Sequence, residues 1–268
     1  KSHVACKEAE FIGHIVSEKG LRSDPAKVEA ITSIPRPTGS TAKTRIRSFL
    51  GMASFYRRYV KDYAKHTHLL NELLEKGVKV EASWKPEHTA SFEALKKALS
   101  EPPVLSFPDL TKELIITTDA SANYCGATLS HKDADGSIHV IEYASKCFSK
   151  RQRNWSICHR EFFGVLFAIN KFRRYIEGRP VRVITDHSAI LHLSFNRFSD
   201  LTGKLCRWIL ALQKYDITFE HRAGEHMLVS DCLSRIYSHE DDISWGQEDF
   251  GQVIHYRTLV EELGPRFE

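Results

Sequence analysis

Leu114-Ile115-Ile116-Thr117-Thr118-Asp119-Ala120-Ser121 is an apolar, β-branched run of strand length that ends on an acid followed by two small residues. A carboxylate at or near the end of a buried strand is costly unless something neutralises it. A turn-forming Asp would account for the residue on its own. The second copy of the pattern argues otherwise: Val181-Arg182-Val183-Ile184-Thr185-Asp186-His187 is another β-branched run that ends in Thr-Asp. Two strands that each deliver an acid at their ends suggest one shared, charged site. Divalent metal is the natural way to hold several buried carboxylates together.

Downstream of the first run, Gly126 to Ser130 reads as its hairpin partner, and His131-Lys132-Asp133-Ala134-Asp135-Gly136 as a hairpin turn. Asp133 and Asp135 lack the rest of a calcium loop and read as turn residues. Val140 to Ser145 forms a third strand. A helix is expected over 154–175, with Glu161 beside the apolar stripe of Val165, Ala168, Ile169 and Phe172, an odd place for a solvating acid. After the strand at 181–186 come a short helical piece at 187–193, a helix at 201–214 carrying Lys204, Arg207 and Trp208, and a fifth strand at 215–220. A loop from His221 to Glu225 leads to a final helix carrying Asp231. Residues 113–236 thus order as β-β-β-α-β-α-β-α, a mixed α/β sheet with flanking helices.

Upstream, Phe11 to Ser17 reads as a short strand, Asp24-Pro25 as the cap and first residue of a helix, and 34–40 as a break. A long helical region is expected over 41–76, with Ile46, Phe49, Leu50, Ala53, Phe55, Tyr56, Tyr59 and Val60 facing inward. Lys43, Arg45, Arg47, Arg57, Arg58 and Lys61 crowd the remaining surface with no acid between Lys43 and Lys61, a pattern suited to phosphate contact as well as to a solvated face. Another helix is expected from Pro86 to about Ser100, stopped by Pro102-Pro103.

The chain has 268 residues, 42% hydrophobic and 27% charged, room for two or three globular domains. Its formal charge of +4 permits nucleic-acid binding. The six cysteines form no CxxC pair, so reduced thiols are expected and a zinc site is not. No membrane span or signal peptide is read, and the opening Lys1-Ser2-His3 is expected to follow from a longer chain. The region beyond Tyr237 is acidic around Glu240-Asp241-Asp242 and Glu248-Asp249 and suggests no chemistry.

Thr118-Asp119-Ala120-Ser121, Tyr143-Ala144-Ser145-Lys146, Glu161, Thr185-Asp186-His187 and Ser230-Asp231-Cys232-Leu233-Ser234-Arg235 resemble the ribonuclease H domain of reverse transcriptases, most closely those of Ty3/gypsy-type LTR retrotransposons. Phe11 to Ser17 with Asp24 to Val28 resembles the end of the palm and start of the thumb, Phe49 to Tyr59 the thumb, and Trp84, Phe92 and Pro103-Val104-Leu105 the connection segment. The resemblance implies an end of palm at 1–20, a helical thumb at 21–80, a connection segment at 81–112, a ribonuclease H-like five-stranded domain at 113–236, and an acidic tail or linker at 237–268. It further implies that Asp119, Glu161, Asp186 and Asp231 bind two Mg²⁺ ions, with Mn²⁺ as a substitute, and hydrolyse the RNA strand of an RNA–DNA hybrid. In many Ty3/gypsy elements a Tyr stands ten residues before the last Asp. Here His221 stands there, as in cellular and retroviral ribonucleases H, where it can shuttle a proton. His187 and His226 are assigned no role.

The hybrid is expected to be read through phosphates and 2′-hydroxyls by Lys43, Arg45, Arg47, Arg57, Arg58, Lys61 and Arg222. Other expected partners are the fingers and palm of the same reverse transcriptase, with a homodimer and a heterodimer both open and no membrane. The setting would be a cytoplasmic virus-like particle or the nucleus. No Tyr-x-Asp-Asp motif of a polymerase palm occurs, so the chain is not expected to polymerise DNA alone. The competing reading is a non-catalytic scaffold subunit or a domesticated binding remnant. Against it, a drifting pseudo-enzyme would have lost one of the four acids or His221. An integrase, whose acids run Asp, Asp, Glu, is excluded by the order of Glu161 before Asp186.

Overall fold

The computed structural model describes residues 6–186, 203–222 and 253–255. Asp231, His187, His226, the helices expected around 187–193 and Asp231, and most of the acidic region lie outside the described residues.

The chain begins with three short antiparallel strands, β1 (Glu8–Phe11), β2 (His14–Ser17) and β3 (Gly20–Ser23), in the order β1-β2-β3. The single strand expected over 11–17 is split by a turn at Ile12-Gly13, where both residues have positive φ, at 47° and 73°. Helix α1 (Pro25–Thr32) starts where Asp24 Oδ1 accepts the Ala26 N–H at 3.0 Å and Pro25 fills the first turn.

The continuous helix expected over 41–76 is broken. Helix α2 (Ala42–Phe55) passes into a 3-10 turn at Arg57–Tyr59, and Asp62 is left-handed (φ 52°) before α3 (Tyr63–Glu72). No Gly or Pro marks this break; Tyr56, Tyr59 and Val60 are buried across it, whereas Phe55, expected to face inward, is 49% exposed. After a single turn, α4 (Val80–Ser83), comes α5 (Pro86–Ser100). Phe49, Tyr59, Leu70, Phe92, Leu95 and Leu99 form one core beneath these helices, with the Phe49 and Phe92 rings 4.5 Å apart. Leu105 bridges back to Leu21, so residues beyond α5 close onto the same unit.

The second sheet starts with the apolar run that ends in Asp119. Strands β4 (Leu114–Ala120), β5 (Tyr124–Lys132) and β6 (Ile138–Cys147) form an antiparallel meander. The short α6 (Lys150–Arg153) and long α7 (Ile157–Ile176) lead to β7 (Pro180–Thr185), which lies parallel to β4. Helix α8 (Gly203–Leu212) leads to β8 (Asp216–His221), parallel to β7. These five strands, in the order β6-β5-β4-β7-β8, form the expected mixed α/β sheet. Three residues of the region expected to be tail or linker, β9 (Val253–His255), add a sixth strand antiparallel to β8. Phe162, Val165, Ile169, Phe172 and Ile176 of α7 share a core with Leu114, Ile116, Leu129, Val183 and Phe219 of the sheet. Among the described residues no helix is long and apolar enough to cross a membrane.

The helical unit rests on the sheet near β6. Ser145 Oγ accepts the Ala64 N–H at 2.7 Å, Cys147 Sγ donates to the Ala64 carbonyl at 3.5 Å, and Arg58 pairs with the buried Glu142.

Candidate active site

Parallel pairing of β4 with β7 sets Thr118 against Thr185, so Asp119 and Asp186 leave the same end of neighbouring strands. Glu161 comes from α7, whose start is fixed by Ser156 Oγ accepting the His159 N–H. Its apolar stripe at Cys158, Phe162, Val165, Ile169 and Phe172 turns the N-terminal part of the helix toward β4 and β5 and carries Glu161 in with it. One carboxylate oxygen from each of Asp119, Glu161 and Asp186 lies within 4.8 Å of the others.

Glu161 is only 4% exposed, and its Oε2 is buried with no hydrogen-bond partner. Burial, followed by the charges of Asp186 and Asp119, pushes its carboxyl up to about 9, and Arg160 offsets this only in part. Burial also raises Asp119, reinforced by Asp186 and by Asp62 from the helical unit, while Lys61 acts the other way. Three carboxylates offering hard oxygen donors, one of them with a buried oxygen that lacks a partner, fit a divalent cation of the Mg²⁺ or Mn²⁺ type. Asp231 lies outside the described residues.

His221 ends β8 opposite Thr185, and its Nε2 donates to the Asp186 carbonyl at 3.1 Å. That bond requires the Nε2–H form and leaves Nδ1 for another partner. The histidine predicted from its position in the chain thus contacts the main chain of Asp186.

The basic residues expected to meet phosphate divide. Arg45, Arg47, Arg57 and Lys61 are exposed, and none has a carboxylate at ion-pair distance among the described residues. Lys43 Nζ donates to the Glu75 carbonyl at 2.7 Å. Arg58 is turned to Glu142, and Arg222 to Glu220, which also takes Arg182.

A second basic surface is not apparent from the sequence. Arg151, Trp155, Lys204, Arg207 and Trp208 line an open groove of about 520 Å³ between the α6–α7 junction and α8. Lys204 Nζ lies 3.0 Å from the Trp155 ring centroid and 4.6 Å from that of Trp208, which stacks on Phe162. Among the described residues, none of the three cations has a carboxylate partner. The spacing of Lys204, Arg207 and Trp208 puts them on one face of α8 and is the available signal. Arg151 and Trp155 are joined to them only by the fold.

A family model described as "RNase H-like domain found in reverse transcriptase" matches residues 84–183, and so includes Asp119 and Glu161 but stops short of Asp186. The retrovirus-related Pol polyprotein from transposon 297 of Drosophila melanogaster is 33% identical over 93% of this chain, and that from transposon opus 35% over 88%. The transposon Tf2-3 polyprotein of Schizosaccharomyces pombe is 31% identical over 90%. The chain spans only 23%, 24% and 18% of these relatives' lengths. Among solved structures, a foamy viral protease-reverse transcriptase in complex with double-stranded DNA superposes with TM-score 0.66 at 21% identity, covering 83% of this chain and 46% of that one. The same kind of protein in complex with an RNA/DNA hybrid gives 0.65 at 19% identity, covering 91% and 32%. Residues 84–183 thus match the RNase H-like domain of reverse transcriptases, within a chain similar over most of its length to part of Ty3/gypsy-type transposon polyproteins.

Proposed function

We propose that this chain is the ribonuclease H part of a retrotransposon reverse transcriptase, hydrolysing the RNA strand of RNA–DNA hybrids with two divalent ions. The observation that carries this reading is the meeting of Asp119, Glu161 and Asp186 around an unpartnered, buried Glu161 oxygen. Asp231 joins them as the fourth ligand in this reading. Bound divalent ions would activate the attacking water and stabilise the leaving 3′ oxygen. The chain's own contribution is to hold Asp119 and Asp186 at neighbouring strand ends and Glu161 on the packed helix α7, so that little rearrangement is needed on binding. His221, anchored on the Asp186 carbonyl, serves as the proton carrier at the leaving group. The setting is the virus-like particle or the nucleus, and the fingers and palm of the same polyprotein are the natural partners.

The deciding assay is cleavage of a labelled hybrid by the chain in Mg²⁺ and in EDTA, beside Asp186→Asn. Cutting that needs metal and disappears in the variant supports the enzyme and the site together. Hybrid binding without cutting would instead support the scaffold reading.

The groove of Arg151, Lys204 and Arg207 lies close to the start of α7, and Glu161 follows Ile157, the first residue of that helix, by four residues, about 6 Å along the axis. Duplex seated on the carboxylates would meet these unpaired cations through its backbone. Replacing all three by Ala should weaken hybrid binding and reduce the slope of log affinity against log salt by about one for every phosphate no longer neutralised. Unchanged affinity and slope would assign the groove a packing role only.

A further inference from the structure

Asp62 belongs to the helical unit, yet its carboxylate stands beside the candidate metal ligands on the sheet. In the β4–β5 pair the residue directly opposite Asp119 is Gly126. Directly opposed residues send their side chains to the same face, with Cβ atoms about 4.5–5.5 Å apart. Residue 126 has no side chain, and a Cβ added there would collide with Oδ1 of Asp62. The Asp62 carboxylate therefore fills the space that a side chain at 126 would take, next to Asp119.

Two further features fix this placement. The turn is tied to the sheet on both sides of Asp62, through Arg58 to Glu142 and through Ala64 to Ser145 and Cys147. Asp62 also stands at the N-cap of α3 without a side-chain capping bond, so the ordinary task of an Asp at that position is not the one it performs. Its left-handed φ of 52° suits Asp or Asn and points the residue across Gly126. The described carboxylates that converge tightly enough to share one ion are Asp119, Glu161 and Asp186, so Asp62 acts from outside the ligand set.

We infer that Asp62 is a positioning residue of the metal site, supplying negative charge and a water-binding carboxylate that strengthen divalent-cation binding without direct ligation. This rests on the metal-site reading above, and it makes the site's affinity depend on how the helical unit is docked. Asp119's raised carboxyl, to which the Asp62 charge contributes, agrees with the placement.

The test is Mn²⁺ and Mg²⁺ binding to the 268-residue chain by calorimetry, without nucleic acid, for wild type, Asp62→Asn, Asp62→Gly and Asp186→Asn. Asn and Gly both accept the left-handed backbone, and both remove the charge. Each Asp62 variant should bind about three- to tenfold more weakly, as expected for the loss of one unligated charge beside a divalent-ion site that is partly solvated. The difference should shrink as KCl is raised, which a merely structural role would not produce. The melting temperature in EDTA should stay near that of wild type for Asp62→Asn. If Asp186→Asn loses metal and both Asp62 variants keep wild-type affinity, the role of Asp62 is overturned and the metal site stands. If Asp186→Asn binds metal like wild type, the metal-site reading fails and takes this inference with it.

Discussion

Glu161→Gln should cut metal-dependent hybrid cleavage by at least about a hundredfold and, in the metal-free protein, raise stability at pH 8. Both effects follow from one burial. The carboxyl is 4% exposed, its Oε2 lacks a partner, and its folded-state value is pushed up to about 9 against an ordinary 4.5. The metal-free folded protein therefore keeps a proton that the unfolded chain releases above pH 4.5. The stability this group contributes is complete below pH 4.5 and is lost as pH rises toward 9, by at most about 1.4 kcal/mol per pH unit. Gln has nearly the same shape, does not ionise, and removes this slope. Thermal melts in EDTA at pH 6 and pH 8 should show wild type losing stability between the two while the variant changes less. Adding Mg²⁺ should then stabilise wild type more than the variant. A variant less stable than wild type in EDTA at pH 8 would mean that the protein itself already satisfies an ionised Glu161. A cleavage loss of only a few-fold would remove Glu161 from the site.

The two Thr-Asp strand ends were legible because strand period, β-branching and a terminal acid are all local signals, whereas the pairing that sets β4 beside β7 is made across a connection that holds β5, β6, α6 and α7. Glu161 was readable as an acid beside an apolar stripe, but its approach to Asp119 depends on how α7 packs on the sheet. The break at Arg57–Asp62 left no such trace. No Gly or Pro interrupts the run, and the helix ends because Tyr56, Tyr59 and Val60 are buried in the helical core. The same break divides the basic stretch: Arg58 is turned to Glu142 while Arg57 is left exposed. The groove at Trp155 and Trp208 joins segments about fifty residues apart in sequence, beyond the reach of any periodicity.

That redirection of Arg58 leads to the second large expected effect, a loss of about 3–5 kcal/mol of stability for Glu142→Ala at pH 7. Glu142 is 3% exposed and lies on the edge strand β6. Its Oε2 takes Arg174 at 2.7 Å, the Tyr175 hydroxyl at 3.2 Å and Arg58 at 3.5 Å, and its Oε1 takes Lys171 at 3.2 Å. Burial alone would raise the carboxyl, yet Lys171, Arg58 and Arg174 hold it below its ordinary value. A depressed folded-state value contributes stability that is present above pH 4.5 and lost as pH falls through the folded value. The gap between wild type and Glu142→Ala in urea unfolding should accordingly narrow as pH is lowered from 7 toward 3. A cost under about 1 kcal/mol at pH 7 would show that the cations solvate themselves and the carboxylate is dispensable. Arg58→Ala separates the two roles open to this residue. As a phosphate contact it would lower hybrid affinity and the salt slope while leaving stability alone. As the bond between the helical unit and the sheet it should lower stability by about 1–3 kcal/mol and leave the salt slope unchanged, because its guanidinium already faces a buried carboxylate.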